Sequence, residues 1–284
     1  MENAITELPL ALFTTLVPIG SGAFLALALA FLVHPFSPEQ LKRIDRLTLL
    51  PLLVMALGFV DSVFHLKDPL HIFYVFTGIG SSPLSNEIAI GVLFFVVALI
   101  YWMLAFGGKL SQAVRKGYAL ILGVFALVFA VSCGMAYMIE TIVTWNTIFG
   151  PLEIVGIGIL GGILFGTVIL MQAKVYDDDL NNSYWRTALV IASVGLVLSA
   201  GALAAHIAFS ATVVGTQVSG AEITAVALPF GALAIVGLVA SFACLIGILT
   251  KRRTALSITG FGLVLIASFL GRMVFYLLEL NVGL

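Results

Sequence analysis

From Ile88 to Gly108 the chain runs twenty-one residues without a charged side chain, and seven further stretches match it in character, some of them longer. No other feature constrains the fold as strongly. A helix of about 20 mostly apolar residues crosses the hydrocarbon layer of a bilayer. The eight runs lie at about 8–33, 48–66, 87–107, 118–139, 152–172, 187–209, 222–249 and 255–279. They are too long and too evenly apolar for strands, and they lack the ten-residue alternation of a membrane barrel. In lipid each backbone amide must be satisfied within its own segment, so the runs are expected to be helices.

Composition agrees. The chain is 61% hydrophobic and 10% charged, with mean hydropathy +1.18, whereas soluble domains carry about 25% charged residues. The expected fold is an all-α integral membrane protein, eight transmembrane helices in one bundle forming a single domain over 1–284. With net charge −1, nucleic acid is not an expected partner. The opening "MENAITELP" has no positive n-region, so the first run is expected to remain as a span rather than to be a cleaved leader. Pro9 and Pro51 fall in first turns, where a missing N–H costs little. Pro18 and Pro229 lie deeper and are expected to kink spans one and seven.

Lys and Arg give the direction. Eleven of the thirteen fall in the connections after spans one, three, five and seven: Lys42, Arg43, Arg46; Lys109, Arg115, Lys116; Lys174, Arg186; Lys251, Arg252, Arg253. The opposite connections hold Lys67, and Arg272 lies within span eight. Positively charged loops stay in the cytoplasm, so both termini are expected on the outer side. Trp102, Trp145 and Trp185 are candidates for the interfacial aromatic belt. Asp177 to Asp179 read as a solvated turn. Cys133 and Cys244 fall at different depths and read as buried thiols, too few for an iron–sulfur cluster or a zinc site.

With this topology the remaining ionisable groups gather near the outer ends: Asp61 and His65 on span two, Glu87 at the start of span three, then Glu140, Glu153, His206, Glu222, Arg272 and Glu279. Gly58, Asp61, Ser62 and His65 form one helical stripe, and Ser268, Arg272 and Tyr276 form another. A charge at membrane depth costs about 2.5–3.5 kcal/mol on insertion scales, so these stripes are expected to face protein, with Arg272 paired to Asp61 or Glu87. Plainer roles also fit single members. Glu140 and Glu222 can cap or snorkel, His206 can be a packed histidine, Asp61 and His65 a structural pair, and Arg272 a clasp of the bundle. "GIGILG" at Gly156–Gly161 lies inside a membrane run with no preceding strand, so it is not a nucleotide loop. Gly158, Gly162 and Gly166, four apart, read as a close helix-packing face.

A pocket near one surface, reached from lipid and lined by histidine, carboxylate and arginine, suits a quinone headgroup. Quinol oxidation releases two protons and two electrons. A neutral imidazole accepts a hydrogen bond from the quinol hydroxyl, and a neighbouring carboxylate orients the ring or takes a proton. His65, Asp61 and Glu87 stand in those roles. Electrons would have to leave to a partner docked on the same side. The longest outer connection, about 67–86, is a candidate lid and docking surface, with Phe73, Tyr74 and Phe76 to pack on partner or quinone.

The stretches "HLKDP" (His65–Pro69), "SNEIA" (Ser85–Ala89), "TWNTIFGPL" (Thr144–Leu152) and "GRMVFY" (Gly271–Tyr276) resemble the membrane-anchor subunits of dimethyl sulfoxide reductase and its relatives, and the likeness runs from Glu7 to Tyr276. The resemblance implies an eight-helix anchor of the bacterial cytoplasmic (inner) membrane, without haem or an iron–sulfur cluster of its own. Such anchors oxidise menaquinol in anaerobic respiration. They pass electrons to a ferredoxin-like iron–sulfur subunit that feeds a molybdopterin catalytic subunit. His65 matches the family's quinol histidine, and Glu87 its S-N-E glutamate. Ser85, Asn86, Arg272 and Tyr276 are then the expected quinol-binding residues. Lys67 stands where the family pattern has glycine, which alters the local turn. The competing readings are an anchor of a polysulfide- or nitrite-type reductase, a secondary transporter, and a purely structural anchor.

Overall fold

The computed structural model describes residues 6–64, 69–175, 183–215, 218–251 and 254–280. Among them the fold is helical, with no strand. The helices are α1 (Leu8–Val33), α2 (Pro38–Leu47), α3 (Leu49–Phe64), α4 (Pro83–Phe106), α5 (Gln112–Met135), α6 (Phe149–Gln172), α7 (Ser183–Ser210), α8 (Gly220–Lys251) and α9 (Thr254–Leu277). A 3₁₀ segment, Pro69–Gly78, lies between α3 and α4. Eight stretches are long and apolar enough to cross a membrane, α2 and α3 together supplying the second. They overlap the eight apolar runs, with the second beginning ten residues before the expected 48 because α2 precedes α3.

Two helices form the centre. In α6 94% of the span window is buried, and in α1 72%. Glycine explains how they come so close. A Cβ on Gly22 would strike the carbonyl of Gly158, and one on Gly162 would strike the backbone of Gly22. Gly166 meets Ala26 in the same way. The expected small-residue face on α6 is therefore real, and α1 is what it packs against. Around this pair, α3, α4 and α5 pack on one side and α7, α8 and α9 on the other. The outward faces are apolar: Leu93 and Val96 on α4, Val124 and Val128 on α5, Val194 and Val197 on α7, Val236 and Val239 on α8. Such an exterior suits lipid, and the chain is a multi-pass membrane protein. Pro18 and Pro229 both sit inside continuous helices.

One end of the bundle, called here the Asp45 end, carries a helix where a loop was expected. Ser37 accepts from the Gln40 amide while the Gln40 side chain accepts from the Ser37 N–H, a capping box that starts α2. Ile44 is buried on its inner face, and Lys42, Arg43 and Arg46 are exposed on the other. Arg115 is not a loop cation. It lies buried in the first turns of α5, paired with buried Asp45 of α2. Its Nε donates to the Leu110 carbonyl and its Nη2 to the Ala105 carbonyl, so one guanidinium ties α2 to the turn joining α4 and α5. Gly108 in that turn has φ +67°, which only glycine adopts without strain. Trp145 and Trp185 are buried, not belt residues. Asp177 to Asp179 lie outside the described residues.

Candidate functional site

The opposite end holds the polar residues singled out from the sequence. Ser82 caps α4 by accepting from the Ser85 amide, and Pro83 takes the first turn. That fixes the register of the next residues. Asn86 Oδ1 accepts from the Gly80 N–H at 2.7 Å, clamping the preceding segment onto the helix. Glu87 points the other way. It belongs to the buried stripe Glu87, Gly91, Phe94, Ala98 and Tyr101, and is 1% exposed. Its carboxyl faces the thiol of Cys133 on α5 and is within electrostatic reach of Arg272. Its Oε1 has no hydrogen-bond partner.

Arg272 is fully enclosed. Its Nη1 donates to Glu153 Oε2 of α6 at 3.2 Å and its Nε to Thr14 Oγ1 of α1 at 3.0 Å. Thr14 passes the bond on to the Leu10 carbonyl. Gly271 makes room, since a Cβ there would lie 2.8 Å from Glu153 Oε1. The guanidinium carbon sits 4.2 Å from the Phe275 ring centroid and 5.6 Å from those of Tyr137 and Tyr276, a desolvated cation–π cage. The expected pairing of Arg272 with Asp61 or Glu87 is therefore corrected. α9 packs on α6 and α1, so the guanidinium meets Glu153 first. The Ser268–Arg272–Tyr276 stripe does face protein, each member being at most 1% exposed.

The segment Thr144–Leu152 covers this cage. Trp145 stacks on Phe275 at 4.9 Å and donates from Nε1 to the Phe275 carbonyl. His206 of α7, also fully buried, donates from Nε2 to the Thr144 carbonyl at 2.8 Å, and the Leu280 N–H donates to Thr144 Oγ1. Tyr137 lies buried just past α5. Burial raises its pKa well above the usual phenol value, and nearby Tyr276 and Glu87 add to the rise against Arg272. The Tyr276 hydroxyl lies among Tyr137, Arg272 and Thr14 without a well-formed bond. Arg272 Nη2, Ser268 Oγ and His206 Nδ1 are likewise unpartnered. Buried polar atoms in native proteins are nearly always paired, so this concentration sets the region apart.

Of the other predicted site residues, Asp61 is half-buried on α3 with Oδ2 unpartnered. Ser85 is buried beneath Gly78. His65 lies outside the described residues, as does Lys67. Glu222 forms a capping box with Ser219, the plain role expected of it, and Glu140 is exposed. Two partnerships at the site escape sequence reasoning, Glu153 with Arg272 and Cys133 with Glu87. Glu153 reads as a span-start carboxylate and Cys133 as an inert thiol; their helical spacing gives faces but not neighbours. Among the described residues, no three His, Cys, Asp or Glu side chains gather as metal ligands.

Beside Glu87 a crevice of about 390 Å³ opens between α4 and α5. Pro83, Asn86, Ala89 and Ile90 line it from α4 and Ser132 and Met135 from α5, with Ile79 at the rim.

The sequence match decides which family has this architecture. A model of the family described as DMSO reductase anchor subunit (DmsC) matches residues 1–278. The chain belongs to that family. Among its relatives, the anaerobic dimethyl sulfoxide reductase component YnfH of Escherichia coli is 30% identical over 290 residues, covering 100% of this chain and 99% of the relative. The C subunit of the same organism's anaerobic dimethyl sulfoxide reductase is 33% identical over 207 residues, 72% of each protein. The corresponding C subunit from Haemophilus influenzae is 27% identical over 197 residues, covering 69% of this chain and 70% of the relative. The family match spans every polar side chain described above, from Thr14 to Tyr276.

Proposed function

We propose that this anchor oxidises menaquinol at the Glu87 end of the bundle and hands the electrons to a ferredoxin-like iron–sulfur subunit, which feeds a molybdopterin catalytic subunit. The observation that carries this reading is Glu87: buried, with one carboxyl oxygen unpartnered, and next in sequence to Asn86, which lines an apolar crevice. Quinol becomes quinone by losing two protons and two electrons. Glu87 accepts one proton through its free oxygen, and His65, which the family resemblance ties to quinol, accepts a hydrogen bond from the ring hydroxyl and then takes the second proton. The electrons pass to the iron–sulfur partner. Arg272, fixed by Glu153 and Thr14 and caged beside Tyr276, acts from behind through its field on Glu87. Asp61, four residues earlier in the sequence, orients His65. The charge bias of the loops supports placing this end, and both termini, outside a bacterial inner membrane.

The test is steady-state turnover of the assembled complex with two electron sources, a quinol and a soluble dye that reduces the catalytic partner directly. Glu87→Gln and His65→Arg are expected to lower quinol-dependent turnover by about 100-fold and leave dye-dependent turnover unchanged. Unaltered quinol kinetics in both variants would refute the reading. A reporter fused to the C-terminus is expected to read as outside; a cytoplasmic signal contradicts the orientation.

A further inference from the structure

We propose that the crevice between α4 and α5 is the seat and lipid-side port of the isoprenoid quinol, and that Ser132 is the residue that orients the ring toward Glu87. This rests on the quinol reading above and adds to it the place of entry and a positioning residue on α5.

Four observations converge on this occupant. Among the described residues that line the crevice none is charged, and all but Asn86 and Ser132 are apolar, the pattern of a site for a neutral ring with a few hydrogen-bonding atoms rather than for a phosphate headgroup. Its volume of about 390 Å³ falls in the range of small-molecule sites.

The crevice continues into the apolar exterior. Leu93 and Val96 on α4, and Val128 and Val131 on α5, are exposed on the same two helices. A polyisoprenoid tail therefore leaves the ring without crossing water.

Register places the chemistry one side chain away. Asn86 and Ser132 line the crevice, and the next residue on each helix, Glu87 and Cys133, turns inward to form the buried carboxyl–thiol pair. Finally, the two polar groups complement each other. The Asn86 carbonyl oxygen is taken by Gly80, which leaves its NH₂ as a donor, while the Ser132 hydroxyl both donates and accepts. A hydroquinone ring carries two hydroxyls and the quinone two carbonyls, so such a pair holds either form.

The experiment uses the complex assembled in lipid nanodiscs, with a short-chain menaquinol as substrate. Ala89→Phe and Ser132→Phe fill the crevice and are expected to raise KM for quinol at least about tenfold while dye-dependent turnover stays at the wild-type value. Ser132→Ala is expected to raise KM about two- to fivefold. Variants that assemble with unchanged KM overturn the crevice while leaving quinol oxidation standing; a wild-type complex that fails to oxidise quinol overturns both. Where the bulky variants do not assemble, a menaquinone with a photoreactive group on its tail decides on the wild-type complex. Label in 83–90 and 132–135, displaced by excess quinol, supports the site. Label elsewhere, or label that quinol does not displace, marks an ordinary acyl-chain groove and overturns it.

Discussion

Among the described residues there are two buried arginine–carboxylate pairs, one at each end of the bundle, and they differ in what surrounds them. At the Asp45 end, Arg115 uses Nε, Nη1 and Nη2 on Leu110, Asp45 and Ala105. At the other end, Arg272 bonds Glu153 and Thr14, but its Nη2 is unpartnered, as are Glu87 Oε1, the Tyr276 hydroxyl, Ser268 Oγ and His206 Nδ1. In the first all three guanidinium nitrogens are bonded, and the Tyr101 hydroxyl near it is unpartnered. The second is a polar interior with hydrogen-bonding capacity left over. Leaving such groups unpaired costs about 1–3 kcal/mol each, a cost a purely structural clasp has no reason to carry. On the proposed reading, the contrast separates a structural pair from one that serves the quinol site.

The largest expected effect breaks the second pair. Arg272→Ala leaves Glu153 buried and uncompensated, at about 3–5 kcal/mol. Complex yield and thermal unfolding in detergent are expected to drop sharply and quinol turnover to vanish; unchanged assembly and turnover contradict the enclosed pair. Arg115→Ala is expected to cost about 3 kcal/mol, since Asp45 lies nearer the surface. The protein that survives is expected to keep the wild-type KM for quinol. A raised KM would show that the two ends are coupled.

A change at the midpoint serves as control. Gly162→Val drives a side chain into the backbone of Gly22 and is expected to cost about 1–3 kcal/mol. Thermal unfolding is expected to shift while the KM of folded protein does not. The smallest effect is expected at Asp61→Asn, which keeps the shape and removes the charge: quinol turnover falls about two- to fivefold, close to 1 kcal/mol or less, with assembly intact. A loss as large as that of Glu87→Gln would move Asp61 from orienting His65 to proton transfer.

The sequence reveals these two ends unequally. Spans are legible because twenty uncharged residues leave few alternatives, and the α1–α6 contact is half legible because Gly158, Gly162 and Gly166 recur every four residues. The common depth of Glu87, Glu153, His206 and Arg272 follows from counting spans. Which of them touch does not. A helical stripe says that Ser268, Arg272 and Tyr276 share a face, but not that α6 rather than α3 lies opposite. For that reason Glu153 does not stand out as the partner of Arg272. The Asp45 end is harder still. Lys42, Arg43 and Arg46 read as loop charges, although the spacing from Ser37 to Gln40 carries a capping signal. Arg115 gives no sign of turning inward, because Asp45 stands 70 residues away.

The most direct test replaces each pair by apolar side chains of similar size, which removes the charges without stranding one of them. Asp45→Leu with Arg115→Met, and Glu153→Leu with Arg272→Met, are compared for quinol-dependent turnover in complexes that assemble to wild-type yield. The first double variant is expected to turn over at close to the wild-type rate, and the second at least about tenfold slower while dye-dependent turnover persists. Full quinol turnover in the second would contradict the claim that the polarity at the Glu87 end serves quinol oxidation.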